Sequence, residues 1–569
     1  MRSTHTLSLL AAATLTACSL PTQPGSAAAP SPPMAAAKPG SLQRCAELAS
    51  AFQFEATRIT AAEPMAADAL KVAGQPVGPH CRVTGVMHER TSPVDGQNYA
   101  IGFEMRLPQN WNGRFLYQAN GGLDGIVAPA LGPVGPQRGA VTSGLQMGFA
   151  VISSDAGHNT RQLPLFGLDP QARLDYGYQT VAKLTPMAKA LVAAGYGRPA
   201  DRSYFAGCSN GGRHAFVTAA RLPEAYDGIL AGAPGYNLPQ AAVAQIYGAQ
   251  QFAKVATDPK DLKTAITPAE RQFVAQQVLK QCDALDGLTD GMVQDSASCQ
   301  RKFDLVRDVP TCQGEQRTGQ CLTPAQKTAL GNVLTGARDS SGRALYSSFP
   351  IDSGIASEDW ANWKFVNSVT NRDPVALGYV FMVPPAPKDM LKNTLGYAMN
   401  FSMDRDAPGI WRTDATYTQS AMEVMTPPKP AQLDRLRERG AKLMVWHGVS
   451  DGVFSPDASV AWYRDVQKHS NGQAEDFAKL YLVPGMGHCG SGPSTDQFNL
   501  LQPLVDWVEH GKAPATPTAQ VRGPGNPGGA NTELPAHWSP ERSRPLCAWP
   551  KVARYFSGNP DNAASFRCE

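Results

Sequence analysis

Ser209 lies at the centre of a Gly-x-Ser-x-Gly sequence, residues 207–211, and Cys208 comes directly before it. Far downstream, Cys489 directly follows His488. A disulfide requires its two Cα atoms to lie within about 7 Å of each other, so a Cys208–Cys489 bridge would bring Ser209 and His488 together. The sequence therefore predicts a contact between a nucleophile and a base, which is the chemistry of a serine hydrolase.

Asp451 is the predicted third member of this catalytic group. The chain order Ser209, Asp451, His488 is the order found in α/β-hydrolases. In this interpretation His488 takes the proton of Ser209, and Asp451 holds the imidazole in the required tautomer. Asp457 is an alternative acid, and a turn-capping role is the alternative for Asp451. Asp451 is favoured because it follows an apolar, strand-like segment at once.

The expected oxyanion hole combines the backbone N–H of Asn210, which follows the nucleophile, with that of Gly122 in a Gly-rich loop. Gly121 is an alternative to Gly122. Other histidines are alternative bases, but none lies in a loop after the predicted acid strand: His158, His214 and His447.

Short apolar segments that end in Gly-rich turns precede these residues, as parallel strands do in α/β proteins. The segments are residues 113–117, 148–152, 203–206, 226–231, 442–446 and 479–483. Helical patterns lie between them at residues 175–194, 213–222 and 431–440. This alternation predicts an α/β-hydrolase fold, with a mostly parallel sheet flanked by helices.

The alternation breaks between residues 236 and 431, a stretch with several Trp and many Pro. We predict that this stretch is a lid inserted into a hydrolase core, whose two parts are residues 44–235 and 432–569. A second domain of unrelated function is the alternative. The net charge of +3, without a basic stripe, does not indicate nucleic-acid binding.

The N-terminus has the pattern of an export signal over residues 1–17, with a positive start and an apolar run too short to span a bilayer. Residues 15–18 resemble a bacterial lipobox, which predicts a lipid on Cys18 and a place in the periplasm or at the outer membrane. An ordinary cleaved signal followed by a free Cys is the alternative. Residues 18–43 are rich in Pro and Ala and predict a tether.

The chain has 11 cysteines. With Cys18 assigned to a lipid, ten remain, an even number that fits an exported chain with disulfides. The sequence alone does not fix their connectivity. Besides Cys208–Cys489, local pairs suggest themselves: Cys45–Cys81, Cys282–Cys299, Cys312–Cys321 and Cys547–Cys568.

The segment 282–292 is dense in aspartate and glycine. It offers the oxygen ligands that Ca²⁺ prefers. These are the side chains of Asp283, Asp286 and Asp290 and the backbone carbonyls of Leu288 and Met292. The spacing does not match an EF-hand, and a solvated acidic turn is the alternative. Because nothing catalytic clusters here, the predicted calcium ion is structural.

With these residues assembled, the chain resembles the tannase and feruloyl esterase family of α/β-hydrolases over about residues 45–568. The resemblance rests on the Cys–Ser and His–Cys pairs at Ser209 and His488, on Asp451 and on the acidic segment. It implies the disulfide pairs above, a calcium ion in the lid, and hydrolysis of aromatic-acid esters through an acyl-enzyme. Residues 166–175 are similar to a bacterial branch that acts on terephthalate monoesters.

The resemblance also implies aromatic contacts to the substrate, for which Trp363 and Phe381 are the candidates. Trp360 is a third candidate, but a place in the core of the lid is at least as good an interpretation of this residue. The terephthalate branch holds the free carboxylate of its substrate with a lid arginine, but here the segment after Trp363 is shorter and Arg372 aligns poorly. We therefore expect a small phenolic ester as substrate, with a terephthalate monoester as the alternative. A serine peptidase and a binding protein on a retired hydrolase fold are further alternatives.

Overall fold

The computed structural model describes residues 1, 32–314, 316–370 and 372–569. The predicted signal peptide beyond its first residue, the predicted lipid site Cys18 and most of the predicted tether lie outside these ranges. Within the described ranges, no helix is both long and apolar enough to cross a membrane.

One large sheet forms the centre of the described structure. Its strands, in chain order, are β1 (Thr57–Met65), β2 (His80–Thr91), β3 (Asn98–Pro108), β4 (Arg114–Ala119), β5 (Ala150–Ser154), β6 (Arg202–Cys208), β7 (Gly228–Gly232), β8 (Lys442–Gly448) and β9 (Ala478–Val483). Across the sheet they lie in the order β9-β8-β7-β6-β4-β5-β3-β2-β1.

The sheet is parallel from β4 to β9, and β3, β2 and β1 extend it with antiparallel pairing. The prediction of a mostly parallel sheet flanked by helices is confirmed. Each of the six predicted strand segments overlaps one of β4 to β9. The antiparallel strands β1 to β3 were not predicted.

The helices cover both faces of the sheet and fill the segment between β7 and β8. The α-helices of the described residues are α1 (Leu48–Ala51), α2 (Pro170–Leu174), α3 (Thr180–Tyr196), α4 (Asn210–Arg221), α5 (Leu238–Ala253), α6 (Pro268–Cys282), α7 (Ser296–Lys302), α8 (Leu305–Asp308), α9 (Pro324–Thr335), α10 (Glu358–Ala361), α11 (Asp373–Val375), α12 (Thr394–Asn400), α13 (Ala421–Met425), α14 (Asp434–Glu438), α15 (Pro456–His469) and α16 (Leu501–His510). π-Helical turns span Asp175–Gln179, Asn362–Asn367 and Ala376–Phe381.

Shorter elements connect these helices and strands. The 3₁₀ turns are Thr160–Gln162, Leu165–Leu168, Leu262–Thr264, Asp283–Asp286, Ser353–Ala356, Lys388–Lys392, Ala407–Trp411, Ala474–Asp476 and Ala563–Ser565. Short antiparallel pairs outside the main sheet join Gly40–Ser41 to Asn110–Trp111, Lys71–Val72 to Gln75–Pro76, Thr518–Gln520 to Ser543–Pro545, and Ala553–Tyr555 to Phe566–Cys568.

Hydrophobic cores lie on both faces of the sheet. On one face, Leu184 of α3 and Trp462 of α15 belong to the same buried cluster as Phe205 of β6. On the other face, Leu504 of α16 clusters with Met444 of β8. The sheet is therefore buried on both sides, as a parallel sheet requires.

The segment between β7 and β8, here called the insert, has a separate core that includes Val453 and Phe454 from the loop after β8. Three of its described helices begin with a capping box, among them α6, whose first residue is Pro268 and whose capping residue is Thr267. The insert thus packs directly on the loop that carries Asp451. Its predicted role as a lid, and the domain bounds at residues 235 and 431, stay predictions.

Five disulfides join the described cysteines, and all five predicted pairs are formed. They are Cys45–Cys81, Cys208–Cys489, Cys282–Cys299, Cys312–Cys321 and Cys547–Cys568. Because disulfides persist in oxidising compartments, a set of five is typical of an exported protein.

Candidate active site

Ser209 occupies the tight turn between β6 and α4, with φ 66° and ψ −124°. A non-glycine residue rarely adopts positive φ, and here the turn presents the side chain at the end of the sheet. The glycines around it are needed for space. A Cβ on Gly211 would collide with the carbonyl oxygen of Ala119 in β4, and one on Gly212 with that of Gly232 in β7.

His488 lies in the loop after β9, and its Nε2 is 2.7 Å from Ser209 Oγ. The Cys208–Cys489 disulfide joins the residues beside them, with a Cα–Cα distance of 6.2 Å. The Ser209 hydroxyl donates to Nε2 in the neutral tautomer that carries its proton on Nδ1. The contact expected from the two Cys neighbours is therefore present.

Asp451 follows β8 and accepts a hydrogen bond from His488 Nδ1 at 2.7 Å on its Oδ2. Its Oδ1 accepts from the backbone N–H groups of Val453 and Phe454, at 2.9 and 3.0 Å. Burial favours the neutral acid, but the charges and hydrogen bonds of His488 and His447 outweigh it and hold the pKa of Asp451 below its usual range. Asp451 therefore stays ionised beside the imidazole.

His447 is a second histidine that contacts Asp451. From the sequence it was a candidate only for the catalytic base. Its Nε2 lies 3.2 Å from Asp451 Oδ2, and its Nδ1 lies 2.8 Å from Ser459 Oγ. The competing acid Asp457 is elsewhere, accepting from Ser348 Oγ at 2.6 Å. The spacing of four residues between His447 and Asp451 was the sequence feature from which their contact could have been predicted.

The loop after β4 passes beside the nucleophile. A Cβ added to Gly121 would lie 3.6 Å from Ser209 Cβ. Gly122 has φ +65°, and its carbonyl accepts from Tyr176 Oη at 3.1 Å. His158 Nε2 donates to the carbonyl of Leu123 at 2.8 Å. Both carbonyls are thus held by buried donors, which fixes the peptide planes of the loop.

The side chain of Asn210 links this loop to α4. Asn210 Nδ2 donates to Asp124 Oδ2 at 2.7 Å, and its Oδ1 accepts from Arg213 Nε at 2.6 Å. Arg213 is fully buried and also donates to the carbonyl of Tyr176 at 2.9 Å. His214 Nε2 lies 3.2 Å from Asp124 Oδ2. The two predicted oxyanion donors therefore belong to segments that are bonded to each other.

Two aromatic rings flank His488. The centroids of Trp363 and Phe454 lie 5.0 and 5.3 Å from the imidazole, both edge-on. Phe381, the other predicted substrate contact, is only 1% exposed and belongs to the core of the insert. Trp360 also lies in that core, beside Phe365. Phe454 was missed, although it follows Asp451 by three residues.

Arg372 lies over the rings of Trp363 and Phe454, although in the sequence it aligns poorly with the lid arginine of the terephthalate branch. Its guanidinium carbon lies 5.3 Å from the Trp363 ring centroid and 5.4 Å from that of Phe454, and it pairs with Asp373. Lys364 is buried, with Nζ 3.6 Å from the Phe349 ring centroid. Burial lowers the pKa of Lys364 to about 7, against the opposing pull of nearby carboxylates.

Comparisons with known proteins agree with this geometry. The sequence model of a family described as "Tannase and feruloyl esterase" matches residues 81–569. A mono(2-hydroxyethyl) terephthalate hydrolase of Piscinibacter sakaiensis is 37% identical over 526 residues, which cover 86% of this chain and 84% of the relative. The chain belongs to the tannase and feruloyl esterase family.

Two further relatives of this esterase show its breadth. A probable feruloyl esterase B-1 of Neosartorya fischeri is 28% identical over 469 residues, covering 79% of this chain and 80% of the relative. The crystal structure of an esterase from Aspergillus oryzae matches with a TM-score of 0.73 and 23% identity, covering 92% of this chain and 99% of that one. That structure supports the fold, and the family membership makes the chain a carboxylic ester hydrolase.

The acidic segment of this esterase carries Asp283 and Asp286 on a 3₁₀ turn and Asp290 in the loop that follows it. Asp283 accepts from the backbone N–H groups of Asp290 and Gly291, at 3.1 and 2.9 Å. Asp286 Oδ1 accepts from the N–H of Leu288 at 3.1 Å, but its Oδ2 is buried and has no partner in the described part of the chain. Burial, helped by the charges of Asp290 and Asp283, raises the pKa of Asp286 to about 7.

Asp290 differs from the other two aspartates because it is already paired. Its Oδ1 accepts from the N–H of Met292 at 3.1 Å, and its Oδ2 accepts from Arg544. Among the described residues, no three His, Cys, Asp or Glu side chains are gathered so that they could hold a metal ion. The unpartnered Oδ2 of Asp286 and the oxygen-rich donor set nevertheless fit a hard cation in their chemistry.

Proposed function

We propose that the chain is an exported serine esterase that hydrolyses esters of aromatic carboxylic acids through an acyl-enzyme. The observation that carries this proposal is the continuous hydrogen-bonded chain from Ser209 Oγ through His488 to Asp451, with both bonds at 2.7 Å. A nucleophile, a base and an ionised acid in that order are the parts needed for acyl transfer.

In the first half of the proposed reaction, Ser209 Oγ attacks the acyl carbonyl carbon while His488 Nε2 accepts its proton. The negative charge on the carbonyl oxygen is met by the backbone N–H groups of Asn210 and Gly122. Expulsion of the alcohol follows as Nε2 returns the proton to it. Asp451 stabilises the imidazolium that exists between these steps.

In the second half, water takes the place of the alcohol. His488 Nε2 accepts a proton from water, the resulting hydroxide oxygen attacks the acyl carbon, and the proton then passes to Ser209 Oγ as the free acid leaves. The edge-on rings of Trp363 and Phe454 beside His488 support an aromatic acyl group, because an aromatic acid can pack against them.

The test measures initial rates of the disulfide-intact protein on methyl gallate, methyl ferulate and mono(2-hydroxyethyl) terephthalate, with Ser209→Ala as the control. A preference for one ester that disappears in Ser209→Ala is expected. If a fluorophosphonate probe labels Ser209 but no aromatic ester is hydrolysed, the serine nucleophile stands and the aromatic substrate class is wrong.

A terephthalate monoester is a second candidate substrate, favoured by the position of Arg372. A guanidinium over Trp363 and Phe454 can pair with a second, free carboxylate on the aromatic acid. Arg372→Ala is then expected to lower kcat/KM on mono(2-hydroxyethyl) terephthalate about tenfold more than on methyl ferulate. Equal losses on both esters would assign Arg372 a structural role.

We also propose that the acidic segment binds one structural Ca²⁺. The proposed ligands are the carboxylates of Asp283, Asp286 and Asp290 with the carbonyls of Leu288 and Met292. Neither carbonyl accepts a hydrogen bond within the described part of the chain, which supports their use as ligands. The ion would supply the positive charge that the buried Asp286 lacks.

The proposed location is the periplasm or the outer membrane, with Cys18 carrying a lipid. The sequence around Cys18 supports this, together with the disulfides of the folded part. Mass spectrometry of the N-terminal peptide tests it, because a diacylglyceryl group on Cys18 adds a large, defined mass. An unmodified Cys18 in membrane-free protein would replace the anchor with an ordinary cleaved signal.

A further inference from the structure

The loop that carries His488 is held from outside by three carboxylates. Asp352 Oδ2 accepts from the N–H of Gly485 at 2.9 Å, and Asp359 Oδ2 accepts from the N–H of His488 at 2.8 Å. Glu533 Oε2 accepts from the N–H of Gly492 at 2.6 Å. Each of these bonds holds one backbone N–H of the loop, so the loop is restrained at three points.

The insert supplies two of these carboxylates and shares the third. Asp352 and Asp359 flank the 3₁₀ turn Ser353–Ala356, and Glu533 Oε1 also accepts from the N–H of Glu358 at 2.7 Å. The backbone of the loop that carries the base is therefore bonded directly to the insert at Gly485 and His488, and Glu533 links it to the insert at Gly492.

Close backbone approach leaves this contact little freedom. A Cβ on Gly487 would lie 2.5 Å from Asp359 Oδ2, and a Cβ on Gly354 would lie 2.7 Å from the carbonyl oxygen of Gly485. A shift of the insert by even 1 Å would thus displace the base or open the bond from the His488 N–H.

We propose that Asp359 is a positioning residue through which the insert sets the place and the basicity of His488. This inference rests on the proposed role of His488 as the base. Asp451 holds one side of the imidazole through Nδ1, while Asp359 holds the backbone that the imidazole extends from. The insert then helps to position the base through Asp359.

The negative charge of the Asp359 carboxylate also acts on the imidazole of His488. Burial, with the nearby charge of Asp451, raises the pKa of Asp359 to about 6, so its carboxylate is ionised at neutral pH. A negative charge close to an imidazole stabilises the imidazolium form. The other charged or titratable groups around this pair are Asp451, His447, Lys364, Arg138, Arg372 and Asp496.

The experiment compares Asp359→Asn with Asp352→Asn in the full chain. Asp352→Asn is a matched control, because it alters the same kind of bond to the same loop away from His488. Each kcat is normalised to the sites labelled by a fluorophosphonate probe, so only folded protein counts. For Asp359→Asn we expect kcat to fall about tenfold with KM within twofold, since small misplacements of a base are costly.

The pH profile separates positioning from plain stability. Asp359→Asn removes a charge that favours imidazolium, so the acid limb of kcat/KM is expected to move to lower pH by about half a unit. Asp352→Asn should lose less than threefold in kcat and keep the wild-type acid limb. Equal losses in both variants with no shift of the limb would overturn the proposal, as would wild-type kinetics in Asp359→Asn.

If Asp359→Asn fails to fold, Asp359→Glu decides the matter. It keeps the charge but lengthens the side chain, so a wild-type acid limb with a lowered kcat is expected, and a wild-type kcat overturns the proposal. Ser209→Ala tests the underlying function separately. Hydrolysis that survives in Ser209→Ala removes the proposed triad, whereas its loss beside wild-type kinetics in the Asp359 variants removes only this inference.

Discussion

The proposed triad and the acidic segment each contain a buried carboxylate, Asp451 in the first and Asp286 in the second, yet the surroundings of the two differ. Asp451 accepts hydrogen bonds from His488 and from two backbone N–H groups, and a second histidine contacts it, so both of its oxygens are satisfied. Among the described residues, Asp286 has one hydrogen bond, to the N–H of Leu288, and one buried oxygen with no partner. The pKa of Asp451 is held below its usual range, and that of Asp286 is raised to about 7.

This contrast shows which site can work with its own side chains. The protein itself supplies the groups that keep Asp451 ionised, so the triad needs no added ion. The acidic segment places its carboxylates against each other, and the only arginines that reach them pair with Asp290 in the described structure. An uncompensated buried carboxylate costs free energy, so the proposed cation would stabilise the acidic segment, whereas the carboxylate of Asp451 already has its partners.

The largest expected effect comes from removing the charge of Asp451. Asp451→Asn should lower kcat about 10⁴-fold, because an amide cannot stabilise the imidazolium and favours the wrong tautomer. The matched control is Asp457→Asn, which changes the competing acid that accepts from Ser348 instead. Steady-state rates on methyl ferulate measure both. If the Asp457 variant lost more activity than the Asp451 variant, the satisfied carboxylate would not be the catalytic one.

The next effect tests whether the triad depends on the bridge beside it. Replacing Cys208 and Cys489 by Ala should cut kcat about 100-fold and change KM much less, since His488 lies on a loop and Ser209 on a fixed turn. Cys312 and Cys321, only 9 residues apart within the insert, form the control bridge. Unchanged turnover in the Cys208/Cys489 variant would show that the carboxylates around the loop suffice to hold the base.

The contacts among Ser209, His488 and Asp451 were predictable because each residue sits in a local pattern. Ser209 has its glycines, and Ser209 and His488 each have an adjacent cysteine that joins them across the chain. Strands β4 to β9 were predictable for a similar reason, because each is a short apolar segment and most of them end in a Gly-rich turn. Strands β1 to β3 lack this pattern. In β1, half-buried and exposed residues alternate irregularly, so no continuous apolar run marks the strand.

The remaining groups of the site depend on how the insert packs, which no local pattern encodes. Arg372 meets the rings of Trp363 and Phe454 only because the insert folds back over the loop after β8. Asp359 reaches the His488 N–H across 129 residues of chain. His447 could be seen in the sequence, but its contact with Asp451 requires the turn after β8 to bring them together.

Removal of the proposed calcium ion tests the contrast between Asp451 and Asp286 at the acidic segment. EGTA should lower Tm by about 5 °C while kcat measured at 25 °C stays within about twofold, because a bound ion stabilises only the folded state and the triad does not use it. Differential scanning calorimetry with and without added Ca²⁺ measures this, with Mg²⁺ as the control ion. A Tm that ignores both EGTA and Ca²⁺ would make the segment a self-sufficient acidic turn.

The smallest expected effect lies in how the stability of the metal-free protein depends on pH. The folded-state pKa of Asp286 is about 7, above the value of 3.8 for an unperturbed aspartate. The folded protein therefore binds more protons than the unfolded chain between these values, and stability falls as pH rises from about 4 to about 7. Asp451 contributes the opposite slope, but only below about pH 4, because its pKa is lowered.

In EGTA, the Tm of Asp286→Asn should decline less between about pH 4 and about pH 7 than the Tm of the wild-type protein. Excess Ca²⁺ should reverse the wild-type trend, because the ion binds the deprotonated carboxylate. Parallel Tm curves for the two proteins in EGTA would mean that the buried oxygen of Asp286 carries no charge penalty, and the contrast with Asp451 would lose its electrostatic basis.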